Sequence, residues 1–129
     1  MQVQEFDERH LRREDDGTNF VVFIYIGGEA RNTSWSVYSY LITDADLPEV
    51  LRWLTEKLPT DSDVLDAGKI TCWSLGLIRE PAQPTPESDM DIAWIVGSDV
   101  LNSDPASLSS HEQRIADEML ARRHRVALL

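Results

Sequence analysis

The residues best suited by type and spacing to do chemistry are carboxylates. Asp61-Ser-Asp63-Val-Leu-Asp66 brings three of them within six positions, and hard cations such as calcium want several such oxygens. A calcium loop also needs an internal glycine and a terminal glutamate at fixed spacing. Val64 and Leu65 occupy the middle of this run, so it reads as a solvated turn. Asp89 and Asp91 are a second pair, placed on one face if the segment is extended. Two close carboxylates raise the pKa of one of them, which general acid–base chemistry and metal binding both exploit. Asp89 lies in a proline-rich stretch, however, and edge carboxylates also deter aggregation. With His111 the pair defines an alternative site, that of a small enzyme or ligand-binding domain built between a sheet and the loop of residues 79–90.

The remaining reactive groups have simpler readings. His10, His111 and His124 are scattered, and none has a second histidine three or four positions on, so no helix offers a metal pair. Cys72 is the single cysteine. It excludes an internal disulfide and stands between Thr71 and Trp73 in strand-like sequence, which predicts a buried, inert thiol. Ser74-Leu75-Gly76 lacks the glycine before the serine that a nucleophile elbow requires. Gly27-Gly28 leads into another strand rather than a helix, so it suits a hairpin loop better than a phosphate cradle. Neither a metal nor a cofactor is expected, and the expected protein is not an enzyme.

The net charge of −11 is the strongest compositional signal, and it is uneven. Residues 44–104 hold thirteen acidic side chains against four basic ones, whereas the last twenty-five positions are slightly basic. Such a surface repels phosphate backbones and attracts cationic ones, so nucleic acid is excluded and a basic protein is the expected partner. Trp35, Tyr38 and Tyr40 lack the interleaved cations of a base-stacking platform. No apolar run approaches the length of a membrane span, and the first eighteen residues carry charges where a signal peptide would be apolar. A cytoplasmic domain without membrane attachment is expected.

The elements that must position these residues follow from periodicity. Asn19 to Ile26 is a short run of β-branched and aromatic residues between Asp16-Gly17 and Gly27-Gly28, a strand buried on both faces. Trp35 to Ile42 alternates, with Trp35, Val37 and Leu41 on one side and Tyr38, Tyr40 and Ile42 on the other, and completes a hairpin. Asp46 and Glu49 then form a capping box with Pro48 in the first turn, and Leu47, Val50, Leu51, Leu54 and Leu58 fall on one helical stripe ended by Pro59. Lys69 to Ile78 predicts a third strand, and Asp91 to Gly97 a fourth, whose run Ile92 to Val96 is apolar throughout and therefore expected at the centre of the sheet. Ser109 and Glu112 cap a second helix lined by Ile115, Ala116, Met119 and Leu120.

Together these predict one α+β domain over residues 19–129. Its mainly antiparallel sheet has four to five strands and two helices on one face, in the order β-β-α-β-β-α, after a poorly defined segment 1–18. The expected function is that of an acidic protein-binding module of inhibitor or immunity type. Its contact surface is expected to comprise Trp53, a half-exposed aromatic at the flank of the first helix, the carboxylates Glu49 and Glu56, and Asp61 and Asp63 in the turn beyond. Self-association into a homo-oligomer through an exposed strand edge is the further alternative.

Overall fold

The computed structural model describes residues 1–5, 19–27, 35–58, 69–79, 91–123 and 125–126. They form one antiparallel sheet of five strands: β1 (Gln2–Glu5), β2 (Phe20–Gly27), β3 (Trp35–Thr43), β4 (Ile70–Arg79) and β5 (Asp91–Val96). Its order is β1-β3-β2-β4-β5, so the most apolar strand is the central one. The expected hairpin is present, with Phe20 opposite Ile42 and Gly27 opposite Trp35. The α+β class and the strand number agree with the sequence. An additional strand, β1, lies in the segment left undefined at the N-terminus and pairs with β3 from Gln2 opposite Thr43 to Glu5 opposite Tyr40.

Helix α1 (Leu47–Lys57) begins as its sequence dictates. The Asp46 side chain accepts from the Glu49 amide at 2.9 Å, and the Glu49 carboxylate accepts from the Asp46 amide at 3.1 Å. Two of the amides that a helix start leaves without partners are thereby satisfied. Asp44, at φ 57°, turns the chain out of β3 just before this cap. Helix α2 (Ser110–Ala121) repeats the device with Ser109 and Glu112. Two short 3-10 turns, Asp99–Asn102 and Pro105–Ser107, connect β5 to it.

The helices lie on opposite faces of the sheet rather than together on one. Val50, Leu54 and Leu58 of α1 pack with Phe20, Val22, Ile24, Tyr40, Ile42, Trp73 and Leu75. Val100, Leu101, Ala116 and Met119 pack with the alternate residues Val21, Phe23, Tyr25 and Cys72. Side chains of opposite parity on β2 leave opposite faces, which fixes the arrangement. The physical reason is visible in β2 itself: a strand apolar at every position must be covered on both sides, and each helix supplies one cover.

A second expectation is also corrected, because β5 is an edge strand and not a central one. Its apolar residues are absorbed by the two faces: Ile92 and Trp94 pack with the α2 side and Val96 with the α1 side. The register to β4 shifts between Leu75 and Gly76, where Val96 and then Trp94 are the partners. Ile95 is thus the extra residue of a bulge, and it points outward, 42% exposed. Past the bulge, Gly97 at φ 68° turns the chain towards α2. After α2 the chain returns to the first face, where Trp73 Nε1 donates to the Arg125 carbonyl at 2.8 Å and Val126 packs on the α1 core.

Candidate functional site

Trp53 sits where helical spacing placed it, at the edge of the buried stripe and only partly covered. Its ring meets Tyr40 of β3 edge-on, with centroids 5.2 Å apart and planes at 64°. One turn further along, Lys57 Nζ stands 5.4 Å from the centre of the same Tyr40 ring, a cation–π contact. Tyr40 is therefore the platform that positions both side chains. Glu49, Trp53 and Glu56 recur at i, i+4 and i+7 and share one side of α1. Glu56 is exposed, while Glu49 is held by the capping box, so one of the two candidate carboxylates is fixed in place. Asp61 and Asp63 lie outside the described residues.

The alternative site is described only in part. Asp91 opens β5 opposite Arg79, Asp89 and residues 80–90 lie outside the described residues, and His111 is exposed in the first turn of α2. Next to it, hydrogen bonds with the Ser109 backbone and hydroxyl hold the Glu112 carboxyl below the usual carboxylate range. Among the described residues no three His, Cys, Asp or Glu side chains are grouped so that they could hold a metal ion. Cys72 is fully buried, and burial pushes its thiol up to about 12, against the weaker opposing effect of Arg123 and Arg122. A thiol so desolvated supplies almost no thiolate at neutral pH.

Two groupings were not anticipated. On the α2 face, the buried Tyr25 hydroxyl donates to Asp99 Oδ1 at 2.8 Å and to the Ser98 carbonyl at 3.3 Å, and it lies 3.0 Å from Ser74 Oγ. This polar node ties β2 and β4 to the chain that leaves β5. Its members are distant in sequence, and no local pattern announces it.

On the α1 face, beside the C-terminal end of α1, the described residues line a recess of about 360 Å³. Ile24 and Ile26 contribute apolar surface, Ser36, Tyr38 and Thr71 contribute hydroxyls, and Glu5 of β1 lines it as well. Lys57 and Lys69 line the same recess. It lies where β2 ends and β4 begins. The available sequence signal was simple: these are the only two lysines of the chain.

No protein-family model, no curated protein and no solved structure matches this chain. The fold and surface therefore define it by architecture: an α+β domain whose antiparallel sheet is covered by one helix on each face. No helix among the described residues is long and apolar enough to cross a membrane.

Proposed function

We propose that the chain is a non-catalytic, acidic protein-binding module of inhibitor or immunity type, acting in the cytoplasm on a partner with a basic surface. The observation that supports this reading best is the outer side of α1, where a partly accessible tryptophan lies between two carboxylates, Glu49 and Glu56. Binding energy at protein interfaces concentrates in a few aromatic anchors, and surrounding charge sets the approach. The capping box holds the Glu49 carboxylate in position before any partner arrives, so less freedom is lost on docking. Exposed Asp44 and Asp46 extend the negative surface at the start of the helix, and Asp61 and Asp63 follow its end in the sequence. A single buried thiol suits a reducing compartment.

The test is a low-salt pull-down from extract of the source cell with the neighbouring genes expressed, using wild type and Trp53→Ala as baits. Retention of a basic protein by the wild type, its release by salt and its loss with Trp53→Ala are expected. If the wild type retains nothing, the reading fails. If substitutions in residues 81–90 abolish binding while Trp53→Ala does not, the competing site with Asp89, Asp91 and His111 is favoured instead.

A further inference from the structure

We propose that a basic partner contacts Trp53 through an arginine, its guanidinium stacked on the indole and paired with the carboxylates of α1. The inference rests on the protein-binding reading and adds to it the chemistry of the residue that is recognised. An indole is the aromatic ring that attracts a cation most strongly. A guanidinium is flat and weakly hydrated, so it can lie on the ring while its N–H groups reach sideways to carboxylates. A lysine ammonium is compact and strongly hydrated, and it meets the same groups as a point charge.

Helix α1 supplies both halves of such a contact. Trp53 is only partly covered, and Tyr40 meets it edge-on, with planes at 64° and centroids 5.2 Å apart. Whichever of the two rings presents its edge, at least one face of the indole lies outside that contact. Glu49 precedes Trp53 by four positions and Glu56 follows it by three. At these spacings Cβ atoms stand about 5–6 Å apart, so the two carboxylates flank the ring along the helix. The Asp46 amide holds Glu49 Oε1 at 3.1 Å, which sets this carboxylate in place, and Glu56 is exposed. The fold already uses the same chemistry one turn away, where Lys57 Nζ stands 5.4 Å from the centre of the Tyr40 ring. From Asp44 to Asp66 the sequence carries seven carboxylates against Arg52 and Lys57, a balance that favours the approach of a cation.

The contact can be observed without the partner. With nitrogen-15 in the indole rings, the four tryptophans give four N–H signals, and Trp53→Leu identifies that of Trp53 by its loss. Blocked tetra-arginine and tetra-lysine amides, equal in charge, are the probes, titrated at low salt. The arginine peptide should shift the Trp53 signal saturably and bind about threefold tighter than the lysine peptide, the size of one exposed cation–π contact. In Trp53→Leu, with the other three signals unmoved as the check on folding, that preference should vanish while weak binding of both peptides persists. Glu56→Gln, which alters an exposed side chain, should weaken the arginine peptide by about threefold. Equal binding of the two peptides by the wild type overturns the arginine assignment and leaves the protein-binding reading standing. An arginine preference that survives Trp53→Leu, or a response at a different indole, overturns it by placing the contact elsewhere. If neither peptide binds, the assignment fails, and the pull-down decides the protein-binding reading separately. A wild-type dimer in sedimentation that the arginine peptide dissociates makes a second copy of this chain the occupant, and overturns a separate partner.

Discussion

The Tyr25 hydroxyl donates to Asp99 across 74 residues of sequence, joining the central strand to the 3-10 turn that follows β5. Tyr25→Phe leaves Ser74, the Ser98 carbonyl and Asp99 without that hydroxyl in a largely buried setting. A loss of about 1–3 kcal/mol in unfolding free energy is expected, measured by urea denaturation.

The same node makes stability depend on pH. Burial raises the Asp99 carboxyl above its ordinary value, outweighing the hydrogen bonds from Tyr25 and Asn102 that lower it. A raised folded-state pKa contributes stability that is full below the unfolded pKa and is lost as pH rises through the folded one. Asp99→Asn keeps an oxygen for Tyr25 and cannot ionise. It should therefore be more stable than wild type near neutral pH, with the advantage vanishing towards about pH 4. The depressed Glu112 acts oppositely, contributing above its unfolded pKa and losing that contribution in acid, but it is common to both proteins and cancels in the comparison. Equal stability of the two proteins near neutral pH would show that burying the Asp99 charge costs nothing.

Leu54 is fully buried beneath α1, and Glu56, two residues on, is exposed. Leu54→Ala should cost about 2–5 kcal/mol through lost burial and the cavity left behind. Glu56→Ala should change stability by less than about 0.5 kcal/mol. Thermal or urea unfolding of the pair checks both values.

Gly76 faces Trp94 across the β4 and β5 pair, and a Cβ there would stand 2.5 Å from Ile92 Cγ2 and 3.3 Å from the Trp94 ring. Gly76→Ala must displace Ile92 or distort the edge strand, an overpacking cost of about 1–3 kcal/mol. Hydrogen exchange should locate the loss in β5.

Cys72 should be modified by a thiol reagent only as fast as the protein opens, because the native thiol is buried and protonated. Reaction in native buffer at the rate of an unfolded peptide would contradict the buried placement. If a basic partner is captured, Glu56→Gln should mainly slow its association and Trp53→Ala mainly hasten its dissociation. Glu49→Ala is a poor probe of binding, since it also removes half of the α1 capping box.

The sequence by itself determined the elements whose signals are local. The Asp46 and Glu49 pair, the leucine stripe of α1, the Ser109 and Glu112 pair and the alternation of β3 each depend on neighbours within a turn or two of chain, and each appears as read. The continuous apolar run of β2 even held the clue that both faces of the sheet needed cover. Which strand would lie at an edge was different. Ile92 to Val96 is apolar enough for a central strand, and only the bulge at Ile95 and the residues brought over each face by α1 and α2 allow it to end the sheet. The Tyr25 node and the Lys57 and Lys69 recess were likewise decided by tertiary structure. Their groups come from separate elements, and no spacing along a chain encodes which side chains an antiparallel sheet will set side by side.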